Sequence, residues 1–250
     1  MTIEEMLRLG QVQTSDNGLV FAVIGENGAA DRAQQETVAR MAATVPRSLM
    51  PRLGRTATYF VPWLLKQRRS IHIGLQAAAE AEKRHELCHH LDVKPGGNLL
   101  LISLRFYEHD GYGLAMEFFD KIAYLASLED DPRPDFGQLL RRERETSKPG
   151  ELTPEAWEWR QGLEEADASL AAEPLRNYQR AAEADTLGLY MASLYTDVFY
   201  EDLFESEPAF PVLDAEQTYE RVRTAERLFP PNRGYSLQII RQRPRRRRAS

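Results

Sequence analysis

The chain has 250 residues, of which 42% are hydrophobic and 28% charged, as is ordinary for a folded globular protein. No apolar run approaches the roughly 20 residues that a membrane-spanning helix needs, and no apolar leader follows Met1, so we expect a cytoplasmic protein without a transmembrane segment. The net charge is −6, and it would be −12 without the six arginines near the C-terminus, so the acidic remainder argues against a general nucleic-acid-binding surface. The single cysteine, Cys88, excludes an intrachain disulfide.

The hydrophobic pattern of the first third predicts a small mixed β-sheet with helices. Residues 19–24 and 58–61 are predicted to be strands, and residues 70–74 are predicted to be a third strand, which is short and alternating, as an edge strand would be. The segment 29–44 carries one apolar face and is predicted to be a helix. Another helix is predicted at 75–91.

The rest of the chain has a mostly helical pattern. Residues 99–106 are an apolar run that fits either a strand or a helix. Helices are predicted at 114–128, 136–144, 154–170, 175–204 and 215–228. The predicted fold class is therefore α+β, with an N-terminal α/β subdomain at 1–92 and a mostly helical subdomain at 93–240.

The last ten residues, 241–250, form an arginine-rich tail. Six arginines fall between 241 and 248, and their mutual repulsion predicts disorder. The tail could contact nucleic acid, a membrane surface or the acidic remainder of the chain, or it could serve solubility alone. Nucleic acid is otherwise not an expected partner.

The pentapeptide His85-Glu86-Leu87-Cys88-His89 is the strongest chemical signal in the chain. On a helix, positions i and i+4 lie on one face about one turn apart, so His85 and His89 could bind one Zn²⁺ together. Glu86 could then accept a proton from a metal-bound water. The alternative is a charged helix face with surface histidines. Cys88 could touch the metal or serve helix packing.

The run His85 to Asp92 resembles the H-E-L-G-H-x-L-D stretch of zincin metallopeptidases. The predicted order of strand, helix, two strands and motif helix is also similar to the upper subdomain of zincins. The resemblance implies peptide-bond hydrolysis with Glu86 as general base, and a peptide or protein substrate paired along the edge strand at 70–74. Charged residues precede His85 where zincins usually have an apolar turn.

In the gluzincin branch of this superfamily, a glutamate on a later helix completes the zinc site. Glu183 is one candidate, because Glu183-Ala184-Asp185 resembles an E-A-D-x-L-G-L stretch of several zinc peptidases. The helix around it is nearly apolar on every face, which predicts a buried carboxylate. The rival is Glu117, in a stretch similar to the Y-G…E-F-F of lethal-factor-type toxin peptidases.

The resemblance also implies two supporting roles. A tyrosine, Tyr178 or Tyr112, would hydrogen-bond the oxyanion, and a carboxylate, Asp185 or Asp92, would orient a ligand imidazole. Two other functions stay open at this point. One is a zincin-fold protein that has lost catalysis and acts as a binding or assembly module. The other is a helical interaction protein that needs no metal.

Overall fold

The structure is a computed structural model with an α+β fold, as predicted. It describes residues 1–25, 30–67, 70–74, 86–93, 99–107, 109–129, 131–146, 149–165, 171–200, 203, 209–237 and 239–240. The chain divides into two compact units, Met1–Phe118 and Phe119–Ser250. None of the helices in these ranges combines the length and the apolar character that crossing a bilayer requires.

The first unit combines short helices with two β-sheets. Its helices are α1 (Ile3–Leu9), α2 (Arg32–Thr44) and α3 (Met50–Leu53), with single 3-10 turns at Arg47–Leu49 and Arg105–Tyr107. Its strands are β1 (Gln13–Thr14), β2 (Val20–Val23), β3 (Ala57–Val61), β4 (Trp63–Gln67), β5 (Ser70–Gly74), β6 (Glu86–Cys88), β7 (His90–Val93) and β8 (Leu99–Ser103). Helix α4 (Gly111–Glu129) follows and contains the boundary between the units.

The larger sheet has the strand order β1-β2-β3-β8-β7. Its centre is parallel, because β3 pairs in parallel with both β2 and β8, whereas β1 and β7 are antiparallel at the two ends. All five residues of β8 are buried. Burial on both faces of a central strand favours an unbroken apolar run. Of the run at 99–106, which fitted either a strand or a helix, Leu99–Ser103 is therefore a strand.

The smaller sheet of the first unit is antiparallel, with the order β5-β4-β6. Leu64 of β4 and Ile73 of β5 are at most 1% exposed and belong to the same apolar cluster as Tyr59 and Leu101 of the larger sheet. Burying a side chain of this size contributes about 1.5–3 kcal/mol. The two sheets of this unit therefore share one core.

The second unit is mostly helical. After α4 it contains α5 (Pro134–Thr146), α6 (Pro154–Glu165), α7 (Ala172–Tyr195) and α8 (Ala215–Leu228), with a short parallel pair of β9 (Val198–Phe199) and β10 (Ile239–Ile240). Helix α8 begins where Asp214 accepts hydrogen bonds from the backbone N–H groups of Glu216 and Gln217. The middle of α7 is buried almost all round, as predicted.

The predicted helix at 75–91 is wrong over the part that the structure describes. Residues 86–93 are strands β6 and β7 with a bend at His89, and residues 75–85 lie outside the described residues. The reason is tertiary pairing: Leu87 lies opposite Leu65, and Leu91 lies opposite Leu101. These apolar positions are four apart, which fits the period of a strand as well as that of a helix.

Other differences concern boundaries. Helix α1 and strand β4 were not predicted, and the helix predicted at 175–204 ends at Tyr195, before β9. The division at Phe118 also differs from the predicted boundary between residues 92 and 93, because β8 is a central strand of the first unit's sheet. The arginine-rich tail at 241–250 lies outside the described residues.

Candidate functional site

The pentapeptide lies where the chain passes from the smaller sheet to the larger one. Residues Glu86–Cys88 pair with β4, and His90–Val93 pair with β8. Between them, the carbonyl of His89 accepts a hydrogen bond of 2.9 Å from the backbone N–H of Ser103. Four residues of extended backbone span roughly 13 Å, against about 6 Å in a helix. Residues Glu86–Cys88 are therefore a strand and not part of the predicted helix, while His85 lies outside the described residues.

His89 is exposed and lies against two aromatic side chains. Its ring centroid is 3.6 Å from that of Phe106, and its Nδ1 is 3.4 Å from the hydroxyl of Tyr107. Phe106 is 42% exposed. We call His89, Phe106 and Tyr107 the corner surface. It presents apolar ring area together with polar atoms that can hydrogen-bond, a combination common at binding surfaces.

His90 and the rival ligand Glu117 contact each other. Nδ1 of His90 lies 2.5 Å from Oε1 of Glu117, and both side chains are partly buried. Glu117 thus lies against His90, and this contact joins β7 to α4. His85 and the side chain of Glu86 lie outside the described residues.

The preferred third ligand, Glu183, lies in the second unit. It is 2% exposed, which confirms its predicted burial, and its Oε2 accepts a hydrogen bond of 3.0 Å from the backbone N–H of Arg133. Asp185 accepts a 2.7 Å hydrogen bond from the hydroxyl of Thr153. Desolvation raises the pKa of Asp185 to about 8, against the lowering effect of that hydrogen bond. The pKa of this carboxyl group thus lies well above its ordinary value of 3.8.

Tyr178, predicted to hydrogen-bond an oxyanion, instead donates a 2.7 Å hydrogen bond to Oε1 of Glu151. Burial, and then the charge of Glu151, raise the pKa of the Tyr178 hydroxyl. The tyrosine is fully buried and belongs to an apolar cluster with Phe136 and Leu163. Its geometry is that of a core residue that satisfies a buried carboxylate.

Glu151 is the centre of a buried network of charges that sequence reasoning missed. Its carboxylate accepts hydrogen bonds from Arg160 of α6 at 3.1 Å and from Arg221 of α8 at 2.7 Å, besides that from Tyr178 of α7. Arg221 also pairs with Glu143 of α5. The four charged side chains are at most 3% exposed. The network joins four helices, and its charges satisfy one another.

A signal for this network was available in the helical pattern. Arg221 falls in the buried stripe of α8, with Thr218, Val222 and Ala225. Arg160 similarly lies between Ala156 and Leu163 on the buried face of α6. A charge on the apolar stripe of a helix must find a partner inside the protein, which the stripe alone cannot identify.

The comparisons with known proteins leave the family open. No protein-family model matches the chain, and no well-characterised protein matches it in sequence. Within the described residues, no three His, Cys, Asp or Glu side chains are grouped so that they could hold a metal ion. The described side chains of His89, Glu117 and Glu183 each have a partner within the protein.

Proposed function

We propose that the protein binds an extended segment of a peptide or protein without hydrolysing it, at the corner surface beside strand β7. The observation that carries the proposal is the extended backbone of Glu86–Cys88 and His90–Val93. This backbone favours strand pairing over a helix that presents two imidazoles to one ion. The proposal corresponds to the binding-module alternative raised by the sequence, without its zinc centre.

Two features of the first unit support a peptide as the partner. Strand β7 ends the five-stranded sheet within the described residues, and such an edge can add a strand through backbone hydrogen bonds. Beside it, Phe106 and Tyr107 are aromatic residues of the type that dominates binding energy in interfaces. Backbone pairing would supply affinity, and the corner surface would supply side-chain contacts.

The binding proposal can be tested with peptides selected from a random-peptide phage library on the full chain. A synthetic copy of the most enriched peptide is then titrated by fluorescence anisotropy against the wild type and two variants. Phe106→Ala should weaken binding by at least about tenfold, because it removes an exposed aromatic anchor. Tyr112→Ala is the matched control, since Tyr112 is similarly exposed, at 38%, and lies outside the corner surface.

Two results would contradict this function. No enrichment over the bare support would remove the evidence for a peptide partner, and equal loss in both variants would place binding elsewhere. A metal measurement on the purified chain gives a third test. Equimolar zinc that disappears in His85→Ala and His89→Ala, with peptide hydrolysis lost in Glu86→Gln, would replace the proposal with the hydrolytic one.

A zinc-dependent peptidase is the second candidate. It is supported by the similarity of His85 to Asp92 to the zincin motif and by the burial of Glu183 on its helix. In this candidate, Zn²⁺ would be held by His85, His89 and either Glu183 or Glu117. The metal would supply an activated water for hydrolysis, and Glu86 would accept its proton.

A further inference from the structure

A cleft of about 610 Å³ lies between helices α5 and α8 of the second unit. Small-molecule sites commonly have volumes of about 300–1,000 Å³. The buried or half-buried residues that line this cleft are Leu139, Thr224 and Leu228, and the exposed ones that the argument uses are Asp135, Arg142 and Arg227. The cleft thus combines an apolar floor with charged groups at its rim.

The two helices run antiparallel along the cleft. Arg133, which precedes α5, stacks 5.4 Å from the ring centroid of Phe229, which follows α8. At the other end, Arg142 forms an ion pair with Glu220. Asp135 and Arg227 therefore lie at the same end, on opposite sides of the cleft.

The two ends differ in their charge pairing. Arg142 is neutralised by Glu220. Arg227, in contrast, donates from Nη2 to the hydroxyl of Thr224 at 2.9 Å, and no carboxylate in the described part of the chain pairs with it. Thr224 is only 3% exposed, so its hydroxyl orients the guanidinium from a fixed position. Asp135 likewise has no cation as a partner among the described residues.

We propose that this end of the cleft binds the zwitterion of an α-amino acid with an apolar side chain. The ligand carboxylate accepts hydrogen bonds from the guanidinium of Arg227, a geometry that guanidinium groups favour. The ligand ammonium donates to Asp135. The apolar side chain of the ligand lies on Leu139 and Leu228. A cation and a carboxylate that line the same end of a cleft, and that pair with no opposite charge among the described residues, match a ligand that carries both charges.

Isothermal titration calorimetry on the full chain tests the ligand class. L-leucine is compared with 4-methylpentanoate, which lacks the ammonium group, and with 3-methylbutylamine, which lacks the carboxylate. Each analogue leaves one charged group of the protein unsatisfied, so it should bind at least about tenfold more weakly than leucine. Equal binding of either analogue, or tighter binding of leucyl-leucine than of leucine, would overturn the proposal.

Variants then assign the binding to this cleft. Arg227→Gln and Asp135→Asn should each weaken leucine binding by at least about tenfold. Arg223→Gln is the matched control, because Arg223 lies on the same helix but pairs with Glu226 and Tyr219, outside the cleft. Unchanged thermal midpoints show that the variants fold. The proposal fails if leucine gives no saturable heat, or if Arg227→Gln binds leucine as the control does.

Discussion

The guanidinium of Arg221 joins two carboxylates that are distant in sequence. Its Nη1 lies 2.7 Å from Oε2 of Glu151, and its Nη2 lies 2.8 Å from Oε2 of Glu143. Burial disfavours the charge on Arg221, yet Glu151 and Glu143 more than offset this effect and raise the pKa of its guanidinium. Burial has the larger effect on Glu143, whose pKa is raised despite the charge of Arg221. Each member therefore depends on the others to remain charged inside the protein.

Replacing Arg221 with methionine should strongly destabilise the protein. The change leaves Glu143 and Glu151 buried without that cation, and breaking a buried pair in this way costs about 3–5 kcal/mol. Urea unfolding followed by circular dichroism measures the free energy of unfolding. Arg223→Met is the control, because its ion pair with Glu226 is partly exposed and should contribute no more than about 1 kcal/mol. Similar losses in both variants would show that the network contributes little.

The partly buried Asp185 carboxyl group should make stability fall as pH rises. Its pKa is raised from an ordinary value of 3.8 to about 8 in the folded state. Between these values the folded state holds a proton that the unfolded state has released. The stabilisation is therefore complete below about pH 4 and is lost as pH rises towards 8, with a slope of about 1.4 kcal/mol per pH unit at most.

Asp185→Asn isolates this effect. Asparagine keeps a carbonyl oxygen that can accept the hydrogen bond from Thr153 but does not titrate. The free energy of unfolding is measured for both proteins between pH 5 and pH 8.5. Subtracting the two free energies of unfolding cancels the titration of all other groups. As pH rises, this difference should shift in favour of the variant. A difference that is independent of pH would contradict the raised pKa.

Elements that are marked by residues within or next to them could be predicted from the sequence, and elements that depend on pairing with other segments could not. Helix α8 could be predicted to the residue, because Asp214 caps its start and Pro230 follows its end. The strands β6 and β7 could not be predicted in this way. Leu87 and Leu91 are in strands because they pair with β4 and β8, and those strands lie in other segments of the sequence. A helix-like spacing of polar residues within such a stretch is then misleading.

The same distinction applies to the candidate sites. The burial of Glu183 was predictable, because apolar neighbours along one helix imply it. The partner of Glu183 was not, since Arg133 contributes a backbone N–H from fifty residues earlier. Glu151 carried no signal of its own, because its position before α6 has no helical pattern and its partner Arg221 is seventy residues away. Contacts between distant segments decide both cases.

Two glycines on helices of the second unit should respond in opposite ways to alanine. A Cβ atom at Gly188 of α7 would lie 3.2 Å from Cα of Asp120 in α4, so the helices would have to separate. We expect Gly188→Ala to destabilise the protein by about 1–3 kcal/mol. A Cβ atom at Gly162 of α6 meets nothing within 4 Å. Gly162→Ala should stabilise the protein by about 0.5–1 kcal/mol, because alanine favours the helix.

Both substitutions bring the same gain in helix propensity, so the difference between them isolates the close contact at Gly188. Thermal unfolding of the two variants and the wild type measures it. Stabilisation by Gly188→Ala would contradict the close approach of α7 to Asp120.

The pairing of β6 with β4 can be tested with a disulfide. Cys88, the single cysteine of the chain, lies directly opposite Leu64 in the antiparallel register. Opposed residues of antiparallel strands have Cα atoms about 4.5–5.5 Å apart, within the range that a disulfide spans. Under mild oxidation, Leu64→Cys should therefore form an intrachain bond with Cys88. Mass spectrometry of the digested protein and titration of free thiols detect it.

Leu65→Cys is the matched control for this cross-link. Neighbouring residues of a strand point to opposite faces, so its thiol faces away from Cys88 and should stay reduced under the same conditions. Leu64→Ser measures the cost of losing the buried Leu64 side chain without adding a thiol. If 86–89 formed a turn of helix, β4 would keep only β5 as a strand partner, and neither cysteine variant would cross-link selectively to Cys88. That result would support a helical motif, in which His85 and His89 lie one turn apart and can share a zinc ion. The peptidase would then become the better proposal.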